Sequence, residues 1–269
     1  MPIRHRRIWT SLTAATAAMP VAMGAPVDAG LPFGLGVSPA FAQQGGEGGE
    51  GGEAGATAPA NDPAALAIAL DGLAAYAQAG LAAYAAGQPE VAAELLKETE
   101  TAFEGTVGPV IADDAGDALE NRLETAADLA EDKGAADAVA SAGEAALAEI
   151  ARTRKSIVGG APAPGNVEAR AFLEALNHGA LELSAAAKDP EDRAAYFEAY
   201  GYLRTAEAHR DPALAALDAI GVETGAKARA ALAALAKAVP GPTPPAILDA
   251  DPGEVLAAVS SAMLAAGTL

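Results

Sequence analysis

Glu207 is the carboxylate in this sequence that most needs an explanation. It lies in PEDRAAYFEAYGYLRTAEAHR, Pro190 to Arg210, which also carries Tyr196, Phe197, Tyr200 and Tyr202. Projected as a helix at about 100° per residue, Tyr196, Tyr200, Leu203 and Glu207 share one face. A carboxylate in line with an apolar stripe must be neutral, hydrogen-bonded to tyrosine, paired with a base such as Arg204, or bound to a cation. The plainer alternative is a glutamate at the bundle edge that reaches solvent or a salt bridge. Glu104, or Glu100 one turn earlier, follows the inward face of an earlier helix and is the candidate counterpart. Two carboxylates brought together from related helices would suit a hard divalent or ferric ion.

A second set repeats every four residues. Glu174, His178 and Glu182 line one side of a helix, which suits a metal held through imidazole and carboxylates. That side projects away from Phe172, Leu176, Ala180 and Leu183, so the competing expectation is a solvated polar face. His209 lies near Glu207 in sequence but points elsewhere on the helix, and is expected to interact with the carboxyl end of its own helix. No Gly-x-Ser-x-Gly elbow, phosphate loop, dinucleotide fingerprint or His-Glu-x-x-His pair is present, and the sequence reads as non-enzymatic. The absence of cysteine excludes disulfides and thiolate metal sites. A formal charge of −19 with no basic patch excludes nucleic acid as a natural partner and favours cations or basic proteins.

The elements that must position these groups are helices throughout, with no stretch of strand alternation. Asp62-Pro63, Asp189-Pro190, Asp211-Pro212 and Asp251-Pro252 each pair a capping carboxylate with a proline suited to the first helical position, and Gln88-Pro89 is a weaker version. The expected helices run Pro63 to Ala86, Pro89 to about Glu104, Asp117 to Lys133, Ala135 to Lys155, Asn166 to Lys188, Pro190 to Arg210, Pro212 to Ile220, Glu223 to Val239 and Pro252 to Ala266. This is an all-α helical bundle of about eight or nine helices. The first helix has only Asp71 as a charge and is expected at the centre. The turn around Pro89 and the turn around Pro190 resemble one another, which suggests two duplicated four-helix halves, residues 62–158 and 166–269, joined by a linker at 159–165. PGPTPP, Pro240 to Pro245, reads as a rigid connector.

Ahead of the bundle, residues 1–42 have a basic start, a weakly apolar middle and the small-residue site Ala40-Phe41-Ala42, the parts of an export signal. Removing it would take away three arginines and one aspartate and leave the product still more acidic. Residues 43–61, rich in Gly and Glu, read as a disordered tether. The expectation is a periplasmic protein with no transmembrane segment in its mature chain.

LAAYAAGQPEVAAELL, AFEGTVGPVI and LENRLETAADL together resemble the periplasmic helical domain of bacterial high-affinity iron permeases. The duplicated plan is similar to imelysin-like periplasmic proteins of iron uptake. The resemblance covers roughly Leu73 to Leu129 and, more weakly, Phe172 to Leu235. The permease's Arg-Glu-x-x-Glu motif and imelysin's His-x-x-Glu spacing are absent. What the resemblance implies is a metal-handling component of iron or related cation uptake that works with a membrane permease or another envelope protein. By their spacing and helical faces Glu207, Glu104, Glu100, Glu174, His178 and Glu182 are the candidate metal ligands, and Tyr196, Tyr200, Tyr202 and His209 the candidate lining residues. A non-catalytic helical scaffold or interaction module of the envelope is the alternative.

Overall fold

A computed structural model describes residues 62–111, 113–245, 248, 250–267 and 269. The export signal and tether expected at 1–42 and 43–61 lie outside them. The described residues form an all-α bundle of eight helices: α1 (Pro63–Ala85), α2 (Pro89–Ala102), α3 (Asp113–Glu131), α4 (Ala136–Gly159), α5 (Pro164–Lys188), α6 (Arg193–Ile220), α7 (Val222–Ala238) and α8 (Pro252–Ala266). Between α2 and α3 the chain passes through a π-helical turn, Phe103–Val107, and a short 3-10 turn, Gly108–Val110.

Two of the four Asp-Pro pairs start helices as the sequence suggests. Asp62 accepts from the amides of Ala64 and Ala65 at 2.9 and 3.3 Å, and Asp251 from that of Gly253 at 2.8 Å. The other two behave differently. Asp189 caps a tight turn through the amide of Glu191, and Asp192 caps α6 through that of Ala195, so the helix begins three residues later than expected. Pro212 starts nothing: it lies inside α6. A proline there removes one backbone bond, to the carbonyl of residue 208, and Ala208 is on the exposed side. Meanwhile Ala213, Leu214 and Leu217 extend the buried stripe begun by Tyr196, Leu203 and Ala206. Burial of that stripe outweighs one lost hydrogen bond, and the two expected helices are one.

The remaining boundaries shift by a few residues. α3 begins at Asp113 instead of Asp117, α4 runs on to Gly159, and α5 starts with Pro164 in its first turn, so the expected linker at 159–165 contracts to a short turn.

The neighbour order repeats. In the first half α1 packs on α2, α2 on α3, α3 on α4 and α4 back on α1; in the second, α5, α6, α7 and α8 close the same ring. The two rings share one compact unit because α1 also packs along α5 and α6. That placement explains its composition: α1 is the described helix that is long and apolar enough to cross a membrane, at mean hydropathy 1.4, and 56% of that window is buried among its neighbours. A core helix passes the same test.

The contact between the rings depends on small residues. Ala75 and Ala79 of α1 face Gly201 of α6, and a Cβ on Gly201 would lie 2.0 Å from the carbonyl oxygen of Ala75. Helix backbones this close tolerate no methyl group. Gly201→Ala is therefore expected to cost about 3 kcal/mol or more in urea unfolding, at the upper end for overpacking. Gly159→Ala, where a Cβ meets nothing within 4 Å, should leave the midpoint unchanged or slightly raised. Equal behaviour of the two variants would contradict the close approach.

Candidate functional site

The α1–α6 contact leaves room for large polar side chains only beside the line of small residues. Tyr76 follows Ala75 and Tyr202 follows Gly201, so each tyrosine emerges about 100° round its helix from the close contact. Their rings meet edge to face with centroids 6.1 Å apart, and the Tyr76 hydroxyl donates a hydrogen bond to that of Tyr202. His178 of α5 stacks on the Tyr202 ring at 5.1 Å and an interplanar angle of 17°. Glu182, one turn after His178, is 7% exposed, and Glu198, one turn before Tyr202, is 4% exposed. One turn below, the Gln78 amide donates to Thr205 Oγ1 at 3.1 Å.

The electrostatics of this interior are one-sided. Burial drives the Tyr76 hydroxyl far above the ordinary phenol range, and Tyr202, Glu198, Glu98 and Glu182 push in the same direction. Tyr202 is likewise held high by burial, then by Glu182 and Glu198. Every charged group acting on either hydroxyl is a carboxylate. Both phenols therefore stay protonated. Burial also lowers His178 below its ordinary value, against the opposing pull of Glu174, which keeps the imidazole neutral.

Of the residues singled out from the sequence, His178, Glu182 and Tyr202 come together here, with Glu174 acting on His178. The expectation that the Glu174, His178, Glu182 side is solvated is corrected. α5 packs on α6 along one side and on α1 along another, so its apparent polar side faces neighbours. Glu207 lies elsewhere. Its side chain is 33% exposed and pairs with Arg204, the bundle-edge salt bridge that was its plainer alternative. Glu100 pairs with Lys97 at 2.7 Å, and Glu104 is exposed. Tyr196 is buried and donates to the carbonyl of Gly241 at 2.9 Å, while Tyr200 is half-buried against the hydrophobic core. Among the described residues no group of three or more His, Asp or Glu side chains is arranged to hold a metal ion, so neither set is assembled as a three-ligand site.

Tyr76, Glu98 and Glu198 were missed. The available signal was Glu198 and Tyr202 four residues apart, but it reads as a partner to nothing until α1 is known to lie against α6.

A second polar centre ties four helices. Arg154 of α4 donates to both oxygens of Asp71 at 2.5 and 3.0 Å, and Glu168 of α5 lies 2.8 Å from the same guanidinium as an ion pair outside hydrogen-bond alignment. Burial opposes the charge on Arg154, but Glu168 and Asp71 more than offset it and hold the guanidinium above its ordinary value. His209 Nε2 stands 3.4 Å from Asp71. The expected contact of His209 with a helix end does not form, because α6 continues past it to Ile220.

No family model, no curated protein and no solved structure matches the chain.

Two measurements check these centres. Asp71→Ala leaves Arg154 buried beside a single carboxylate and should cost about 3–5 kcal/mol, whereas Glu90→Ala, which removes an exposed pair with Lys133, should change nothing measurable. Because the folded state holds His178 below its ordinary 6.5, the unfolded chain takes up that proton first. Stability from this group is thus complete above 6.5 and declines as pH falls below it. Between about pH 7.5 and 5.5 the wild type should lose more unfolding free energy than His178→Gln; equal losses would show that His178 is not held neutral.

Proposed function

We propose that the protein is an exported, periplasmic helical protein that takes a hard cation, ferric or divalent, into the carboxylate and tyrosine interior between α1, α5 and α6. In this role it serves as a non-catalytic accessory of cation uptake beside a membrane permease or another envelope component. The observation that carries this reading is the burial of Glu182 and Glu198 beside Tyr76 and Tyr202, with only carboxylates acting on the two phenols. Carboxylate and phenol oxygens of this kind are donors that suit hard ions. The resemblance to periplasmic iron-uptake domains points the same way. A cation entering here requires the carboxylates to move inward by rotamer change, since the present arrangement is not a closed ligand set.

The alternative is a scaffold or interaction module of the envelope. It is favoured by the pairing of Glu207 with Arg204 and of Glu100 with Lys97, which leaves both first-choice carboxylates with ordinary partners. Titration calorimetry and metal analysis on the full chain, with manganese(II) and ferric citrate as probes, separate the two. The uptake reading expects saturable binding at about micromolar concentration and a raised Tm, both lost in Glu182→Gln and Glu198→Gln and kept in Glu207→Gln. Under the scaffold reading neither probe binds. Absence of binding, or binding unaffected by Glu182→Gln together with Glu198→Gln, overturns the proposal.

A further inference from the structure

A cleft of about 500 Å³ opens at the other end of α5, away from the tyrosine pair. Its walls come from three parts of the chain: Gln88 in the α1–α2 turn, Ala186, Ala187, Pro190, Asp192, Arg193 and Tyr196 where α5 passes into α6, and Thr243, Pro244, Pro245 and Leu248 ahead of α8. It is independent of the cation reading.

The walls are built to stay in place. Pro190, Pro244 and Pro245 line the cleft with fixed φ angles. The Tyr196 ring is buried, and its hydroxyl donates to the carbonyl of Gly241 at 2.9 Å, which pins the proline loop to α6. A wall tied to α6 in this way loses less freedom when a ligand binds. The volume is that of a small-molecule site, and apolar walls with a few polar groups are the usual composition of one.

The polar groups select the ligand. The cleft has two charged side chains among the described residues, Asp192 and Arg193. Asp192 is turned to the amide of Ala195, at 3.3 Å, as the cap of α6. Arg193 is exposed and takes part in none of the ion pairs found among the described residues, although the chain carries more than twice as many acids as bases. A guanidinium beside proline faces offers a fork for a planar carboxylate and an apolar shelf for a flat ring.

We propose that this cleft binds a small aromatic carboxylate, its ring against Pro190, Pro244 and Pro245 and its carboxylate on Arg193. Titration calorimetry on the full chain tests it with 2-naphthoate and its uncharged analogue 2-naphthalenemethanol. The expected result is saturable naphthoate binding, at least ~10-fold tighter than the alcohol, as one charge-assisted bidentate contact provides. Arg193→Met keeps the alkyl stem and should bring the two ligands to equal affinity. Ala187→Phe, at an exposed position on the cleft wall, should abolish binding of both. Circular dichroism verifies that each variant keeps the helical fold. The proposal is overturned if naphthoate shows no saturation at millimolar concentration, if the alcohol binds as well as the acid, or if either variant binds naphthoate as the wild type does.

Discussion

The near-contact of α1 and α6 at Ala75 and Gly201 is the constraint from which most of the structure follows. With no side chain between the two backbones, the first ring of helices is held against the second at a distance set by main-chain atoms. Everything beside that line is then fixed in register. Tyr76 and Tyr202 are placed edge to face, Gln78 opposite Thr205, and Asp71 within reach of His209. A looser pair of helices would let water reach the phenols and would relieve the electrostatic pressure that makes the interior unusual.

The two polar centres along this seam handle charge in opposite ways. Around Arg154 a guanidinium sits between Asp71 and Glu168, so burial of the acids is offset by a base of the chain itself. Around Tyr202 the charged groups acting on the phenols are all acids, and both phenols stay protonated. A buried charge pair removed from one side leaves an isolated ion, so the Arg154 centre acts as a structural clamp. The two centres lie about one and a half turns apart on α1, at Asp71 and Tyr76.

The helical plan was legible in the sequence because it rests on local chemistry: apolar residues at helical spacing, capping aspartates and prolines. Asp62-Pro63 and Asp251-Pro252 worked as written. Pro212 was misread because the same dipeptide chemistry serves a helix start and a tolerated interior proline, and what decides is the long-range burial of Ala213, Leu214 and Leu217. The site was legible only in part, for a related reason. A wheel projection of α5 identifies one apolar side, and Glu174, His178 and Glu182 fall off it; but a helix flanked by two neighbours has two buried sides. Glu207 gave the opposite error. It continues a buried stripe by geometry, yet Arg204 one turn earlier offers an ion pair at the surface, and a long flexible side chain reaches for it.

α1 joins these threads. It carries one formal charge, and three of its polar side chains, Asp71, Tyr76 and Gln78, each meet a residue from the second ring: His209, Tyr202 and Thr205. Polar contacts across an interface leave buried groups unpaired while a gap is still too narrow to admit water, so they penalise the first step of separation. The two rings are thus locked by interactions that are costly to expose, and a ligand held between Glu182, Glu198 and the two tyrosines would strengthen the same seam. Binding there and the association of the two rings would then be linked. Each would raise the free energy needed to pull α1 from α6, by the mass-action rule that a ligand stabilises whichever state holds it.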